Sequence, residues 1–234
     1  MSKLSICCIC QDEEELIGEF LECCKHFYDN APDNLSEIII ADGGSQDNTV
    51  EIIKQYINKM PLILIEHPFD TFGQQKNRCM DLATGDFIFF PDADMTWTTN
   101  FPEAFKSGFF DCNPMWDFIL YFTVRDKYHY FHKWPLGPSL RMWKSGPRYG
   151  TNFHEKLQGQ HPGLPICSHV TIFENSCRQS DNALLNRGKR YQRFLKEMVD
   201  AGAGPGPEDK YLKAAHVPDS EIGEIPNHIR SLIL

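Results

Sequence analysis

Apolar positions along the first half of the chain follow two periods that alternate. Leu4 to Cys10 is an almost unbroken apolar run, and Ile38-Ile39-Ile40-Ala41, Leu62 to Ile65 and Phe87 to Phe90 are three more. Runs this short, with no polar face, predict strands buried on both sides of a largely parallel sheet. Between them the period lengthens. Leu16, Ile17, Phe20, Leu21, Cys24 and Phe27 recur at helical spacing, as do Val50, Ile53, Tyr56 and Ile57, for which Asp47 is placed as an N-cap. Gln74 to Ala83 reads as a third helix, closed by Gly85. This β-α-β-α-β-α-β rhythm predicts an α/β fold, a mostly parallel doubly wound sheet with helices on both faces.

The second half reads differently. Asp117 to Val124, Leu140 to Trp143 and Ile166 to Phe173 predict strands, and Pro102 to Phe110 a helix before them. Asn182 to Val199 carries Leu184, Leu185, Tyr191, Phe194, Leu195 and Met198 and predicts a long helix. Proline, glycine and aromatic residues are dense from Tyr128 to Tyr149, which suggests loops shaped around a ligand. Ala201 to Pro207 is a flexible break.

Composition narrows the function classes. A chain of 234 residues suits one substantial domain, alone or with an appendage. The net charge of −9 argues against a nucleic-acid partner, since no basic stripe offsets it. No apolar segment approaches the ~20 residues that span a bilayer, and the start of the chain lacks the pattern of a signal peptide, so a cytoplasmic location is expected. Tyr128 to Trp134 interleaves aromatics with cations, which suits peripheral membrane contact, an acceptor pocket or plain core. Cys7 and Cys10 have CxxC spacing, but on a strand residues three apart face opposite ways and cannot share a metal. The nine cysteines therefore read as buried, reduced thiols.

Candidate chemistry sits where the strands end, because ligands of open α/β sheets bind at the carboxyl edge. The first strand is followed by Gln11-Asp12-Glu13-Glu14, the second by Asp42-Gly43-Gly44-Ser45-Gln46-Asp47-Asn48-Thr49, and the fourth by Pro91-Asp92-Ala93-Asp94. Two carboxylates spaced i, i+2 offer hard oxygen ligands for Mg²⁺ or Mn²⁺ that also touches a substrate phosphate. Lys76 and Arg78, on the third helix, can bring positive charge to a diphosphate. Taken singly, each of these also has a plain structural explanation: a capped helix, a tight turn or a solvated charged face.

In this order and spacing the pieces resemble the inverting nucleotide-sugar glycosyltransferases of family two, with the GT-A fold. The resemblance rests on Asp12-Glu13-Glu14, on Asp42, Gly44, Ser45, Asp47 and Thr49, on Lys76-Asn77, on Ala83-Thr84-Gly85-Asp86, and on Asp92-Ala93-Asp94. The second half resembles a subgroup typified by lipopolysaccharide-core glucosyltransferases, through Gly150 to Glu155, His169 and Lys189-Arg190-Tyr191. The chain departs from the family at Asp12, where Asn is usual, and at Cys10-Gln11.

The resemblance implies a donor site at Cys10, Asp12, Asp42, Lys76, Asp92 and Ala93, with Asp42 accepting from the imino group of uracil. It implies a Mn²⁺ or Mg²⁺ ion at Asp94 and His169, and Glu155 as general base with Asp181 in reserve. Residues 1–95 would form the nucleotide-sugar half, 96–200 the acceptor-side, catalytic half of the same domain, and 201–234 a tail. The expected reaction moves a sugar from a nucleoside diphosphate to a glycan, lipid or protein hydroxyl. Two alternatives stand beside it: a nucleotidyltransferase, which would show a glycine-rich basic phosphate loop after the first strand, and a binding module on a decayed transferase scaffold.

Overall fold

A computed structural model of the chain describes residues 2–108, 118–125, 131–134, 141–144, 166–175, 179–180, 182–183 and 185–186, with the backbone alone in 118–125, 131–134, 141–144, 166–171 and 174. Four parallel strands form the centre of the sheet: β1 (Leu4–Cys10), β2 (Leu35–Asp42), β3 (Leu62–Glu66) and β4 (Phe87–Phe89), in the order β3-β2-β1-β4. Beyond β4 the sheet becomes mixed. Strand β8 (Arg141–Lys144) is antiparallel to β4, and β6 (Phe118–Arg125) is antiparallel to β8. Strand β9 (Ile166–Glu174) is parallel to β6, and β5 (Met95–Trp97) is antiparallel to β9.

The chain divides into one unit of residues 1–124 with 133–175 and another of residues 125–132 with 176–234. In the second, the described residues include a buried Gln179 and an exposed Leu185. The expected helix over 182–199 lies for the most part outside the described residues.

The expected strands and helices of the first half form where the periodicity places them, with ends shifted by a few residues. Helix α1 covers Ile17–Asn30, α2 Thr49–Lys54, α3 Phe72–Leu82 and α4 Phe101–Lys106. Two strands were not expected. Strand β5 has only three residues, too few for any period to show, and β7 (Phe131–Trp134) falls in the aromatic stretch expected to form loops. Aromatic residues favour strands as readily as they line ligand loops, and here the strand wins.

Strand β1 lies between β2 and β4, so its side chains feed two separate cores. Leu4, Ile6, Cys8 and Cys10 pack with Phe20, Leu21, Cys24 and Phe27 of α1 and with Phe101 and Phe105 of α4. Cys7 points the other way, among Ile39, Ala41, Ile88 and Phe90 and against Cys79 and Met80 of α3. The CxxC pair is thus split between layers, as strand alternation requires. Burying a large apolar side chain contributes about 1.5–3 kcal/mol, and Phe20, Phe27, Phe87, Phe89 and Phe101 are all fully buried. Edge-to-face pairs join them: Phe27 with Phe101 at 5.2 Å, and Trp97 with Phe89 at 5.1 Å and with Phe20 at 5.8 Å. These contacts tie α1 and α4 to the ends of β4 and β5.

At the amino-terminal edge of the sheet, Thr84 and Gly85 form the turn into β4. The Gly85 N–H donates to Ser5 Oγ at 2.8 Å and the Thr84 N–H to Glu37 Oε1 at 3.0 Å, while the Ser5 and Thr84 hydroxyls also donate to Glu37. A Cβ on Gly85 would lie 2.6 Å from the Ser5 nitrogen and 2.8 Å from the Leu4 carbonyl carbon, both backbone atoms that cannot step aside. Gly85→Ala is therefore expected to lower stability by about 1–3 kcal/mol, the usual cost of overpacking. Gly18, in the first turn of α1, has open space around the same position. Gly18→Ala should be neutral or slightly stabilising, and equal urea midpoints for the two variants would contradict the packing argument.

Candidate functional site

Cys10 and Asp42 end their strands as register partners, so both emerge at the carboxyl edge. Asp42 is only 2% exposed, and its carboxyl group organises the turn that follows. Oδ2 accepts the N–H groups of Gly44 at 2.8 Å and Ser45 at 3.0 Å, while Oδ1 accepts the Ser45 hydroxyl and a longer contact from Cys10 Sγ at 3.9 Å. The turn needs φ = +90° at Gly44, a conformation that favours glycine.

The segment after β1 is laced to this turn from the other side. Asp12 has φ = 53°, uncommon for a residue with a side chain, and its own bonds hold it there. Its N–H donates to Ser45 Oγ at 2.9 Å, and its Oδ1 accepts the Gln46 N–H at 2.7 Å. An aspartate serves here because the contact with Gln46 needs only an acceptor. The Glu13 N–H donates to Thr49 Oγ1 at 2.8 Å and the Glu14 N–H to Asp47 Oδ2 at 3.1 Å, and Glu14 accepts from both nitrogens of Asn48. The N-cap of α2 is Asn48, not Asp47 as expected; Asp47 stands one residue further out, where it accepts the Thr49 N–H at 2.9 Å and so holds the approach to the helix. Ser45, Asp47 and Thr49 thus shape the loop.

The loop after β3 closes on the same turn. The N–H groups of His67 and Phe69 donate to the carbonyls of Asp42 (3.0 Å) and Gly43 (2.9 Å). Phe69 packs against Gly43, where a Cβ would lie 3.2 Å from its own, and meets Phe72 edge-on at 5.0 Å. The two basic residues of α3 differ in setting. Arg78 grips Asp70 with both terminal nitrogens and holds that carboxyl below its ordinary range, so the structure commits this guanidinium to the loop. Lys76 reaches over the Phe90 ring, 5.4 Å from its centroid, and so stands beside the end of β4.

After Phe90 the chain turns through Asp92-Ala93-Asp94, closed by the Met95 N–H donating to the Asp92 carbonyl at 3.0 Å. Ala93 and Asp94 are buried and Asp92 is half-buried. One residue that holds this turn was not foreseen. Asn175, directly after β9, donates its backbone N–H (2.8 Å) and its Nδ2 (3.2 Å) to the Asp94 carbonyl. An asparagine following an apolar strand looks like an ordinary turn residue, so the sequence carries no signal for this contact.

The expected residues are therefore brought together in part. Cys10, Asp12 and Asp42 share one laced edge, and Lys76 lies with Phe90 near the turn of Asp92, Ala93 and Asp94. His169 falls within β9, where its side chain lies outside the described residues, as do Glu155 and Asp181 altogether. Among the described residues, no group of three or more His, Cys, Asp or Glu side chains is gathered as for a metal ion.

The profile of the family described as Glycosyl transferase family 2 matches residues 5–164. The chain belongs to glycosyl transferase family 2. It is 26% identical over 231 residues to TPR repeat-containing protein Synpcc7942_0270 from Synechococcus elongatus, covering 91% of this chain and 51% of that protein. A 59-residue stretch is 41% identical to the uncharacterized glycosyltransferase YibD from Escherichia coli, covering 25% of this chain and 17% of YibD. The chain thus spans about half the length of the Synechococcus protein and less of YibD. Among solved structures, mannosyltransferase PcManGT from Pyrobaculum calidifontis, in complex with GDP-Man and Mn²⁺, is similar with a TM-score of 0.53 at 16% identity, covering 88% of this chain and 65% of that one. That likeness is one of fold, and it agrees with the GT-A arrangement. No helix among the described residues is long and apolar enough to cross a membrane.

The thiols of the site and core have a measurable consequence. Burial pushes the Cys10 thiol well above its ordinary range, with Asp42 and Glu13 adding to the effect. Burial likewise raises Cys7, Cys8 and Cys24, and takes Cys79 up to about 12. Below the ordinary thiol value near 9.0 these groups are protonated in both folded and unfolded chains. Above it the unfolded chain loses protons that the folded chain keeps, so stability falls as pH rises. Each thiol contributes about 1.4 kcal/mol of loss per pH unit across its window. Denaturant midpoints should fall steeply above about pH 9. A flat profile to pH 11 would contradict the protonated, buried state of these cysteines.

Proposed function

We propose that this chain transfers a sugar from a nucleoside diphosphate donor, a uridine diphosphate sugar, to a hydroxyl acceptor with inversion at the anomeric carbon. The observation that carries this reading is the convergence of Cys10, Asp12 and Asp42 on one laced carboxyl edge, in a chain whose next strand end presents Asp92 and Asp94. Asp42 would accept the imino N–H of uracil. A carboxylate has about four acceptor positions, and the long thiol contact from Cys10 is the one that a base donor can replace. Cys10 and Asp12 would flank the base, Lys76 would bring its charge to the diphosphate, and Ala93, between the two aspartates, would line the donor site.

The donor set also fits a divalent cation of the Mn²⁺ or Mg²⁺ kind. Such ions are commonly held by one or two carboxylates, with water and substrate phosphate completing the shell, so a pair of aspartates without a third acidic partner suffices. Asp94 would hold the ion directly, with His169 as a second ligand, and Asp92 would hold the ribose or reach the ion through water. When bound, the cation would supply Lewis-acid neutralisation of the charge on the departing diphosphate. PcManGT, which shares the fold, is itself a complex with a nucleotide sugar and Mn²⁺.

Inversion requires one base on the side opposite the leaving group. Glu155 would take the proton from the acceptor hydroxyl as the oxygen attacks, with Asp181 in reserve. In this reading residues 1–95 bind the donor, 96–200 supply the acceptor side and 201–234 form a tail. The His-Glu pair at 154–155 and His169 support a place in the lipopolysaccharide-core glucosyltransferase-like subgroup. The acceptor is a glycan, a lipid or a protein, and a cytoplasmic setting with peripheral membrane contact through Tyr128 to Trp134 is part of the same reading.

A transfer assay with a panel of nucleotide sugars tests it. Asp94→Asn and chelation should each abolish turnover while the fold survives. Glu155→Gln should lower turnover by about 10²–10⁴-fold, the usual contribution of a general base, with donor affinity little changed. Wild-type turnover in the presence of chelator and in Asp94→Asn would remove the metal from the mechanism. Near-normal turnover in Glu155→Gln, with collapse in Asp181→Asn, would move the base to Asp181.

A further inference from the structure

Asn175 lies beyond residue 164, where the family match ends, yet it makes the most direct described contact with the backbone of Asp94. Both residues are 3% exposed. The turn that carries Asp94 is closed internally by the bond from the Met95 N–H to the Asp92 carbonyl, at 3.0 Å. Asn175 adds an outer clasp. Its N–H meets the Asp94 carbonyl at 2.8 Å, and its Nδ2 lies 3.2 Å from the same oxygen, 3.0 Å from Thr96 Oγ1 and 3.3 Å from the Phe173 carbonyl. All three of these partners offer acceptors, so the position calls for a donor. An amide supplies one, and an isosteric carboxylate would face three oxygens.

Fixing the Asp94 carbonyl fixes the plane of the peptide that follows, and with it the direction in which the Asp94 side chain leaves the backbone. Ligand geometry at a cation is sensitive to such outer contacts, whose loss commonly weakens metal binding by about 10–100-fold. We propose that Asn175 is a positioning residue for the divalent cation, acting through the backbone of Asp94 and touching neither donor nor ion. The proposal rests on the reading above that Asp94 holds the cation.

The test is an electron paramagnetic resonance titration of Mn²⁺ into the full chain at saturating uridine diphosphate, with the metal-free melting temperature recorded for every variant. Asn175→Ala, which keeps the backbone donor and loses Nδ2, is expected to weaken Mn²⁺ binding about tenfold. Asn175→Asp should weaken it further. Thr96→Val removes another acceptor of the same nitrogen without touching the Asp94 carbonyl, and is expected to keep wild-type Mn²⁺ affinity whatever it does to the melting temperature. If Asn175→Ala does not fold, Asn175→Ser, which retains a short hydroxyl donor, takes its place with a loss in the same direction.

Unchanged Mn²⁺ affinity in the folded Asn175 variant, alongside loss of binding in Asp94→Asn, overturns the positioning role alone. An equal loss in Thr96→Val also overturns it, because general loosening would then explain the effect. Wild-type Mn²⁺ binding in Asp94→Asn overturns the assignment of Asp94 and the role of Asn175 with it.

Discussion

Glu37 is buried near the amino-terminal end of β2, where its two oxygens receive the Ser5 hydroxyl from β1 and the N–H and hydroxyl of Thr84 from the turn before β4. Leaving such a group buried without partners would cost several kcal/mol, so these donors are conditions of the fold. The Ser5 hydroxyl oxygen in turn accepts from Gly85, which closes the set. One side chain thereby sets the mutual register of three parallel strands. A slip of one residue would exchange the two faces of a strand, sending Cys7 into the layer of α1 and Cys8 into that of α3. It would also change which residues appear at the opposite end.

That opposite end carries Cys10, Asp12, Asp42 and the Asp92 to Asp94 turn, and its parts are held by different means. Asp42 and Asp12 are fixed by hydrogen bonds between loops, so this part of the edge is held in place by the chain itself. The Asp92 to Asp94 turn hangs from the sheet by β4 on one side and by β5 and Asn175 on the other. Asn175, far along the chain, thus reaches the Asp94 carbonyl with both its backbone N–H and its side-chain amide. Several residues that make the family recognisable serve the loop itself: Ser45, Asp47 and Thr49 spend their oxygens on backbone N–H groups of Asp12, Glu13 and Glu14 or on helix α2. A motif residue need not touch a ligand to be necessary for the site.

The central sheet was legible because its strands are short, wholly apolar and separated by helices with a clear period. Strand β1 runs from Leu4 to Cys10 as expected. The carboxyl-edge location of Cys10, Asp42 and the aspartate turn followed from the same pattern, since a parallel sheet leaves few choices. What the pattern could not show was long-range polar contact. Glu37 reads as a surface residue at the start of a strand, and nothing local marks its bonds to Ser5 and Thr84. Arg78 reads as a free cation until Asp70 is seen beside it. Strand β5 has three residues, and the hold of Asn175 on Asp94 spans 81 positions. Glu155 and Asp181 lie outside the described residues, so the role of Glu155 rests on the resemblance.

The central claim is that the carboxyl edge binds a nucleoside diphosphate sugar together with a divalent cation. The most direct measurement is the melting temperature of the full chain across a panel of nucleoside diphosphate sugars, with and without Mn²⁺. A ligand at a hundred times its dissociation constant stabilises the folded state by about 2.7 kcal/mol. A uridine diphosphate sugar is expected to raise the melting temperature, and to raise it further when Mn²⁺ is present. A panel in which no nucleotide sugar shifts the transition, with Mn²⁺ or without it, would contradict the claim.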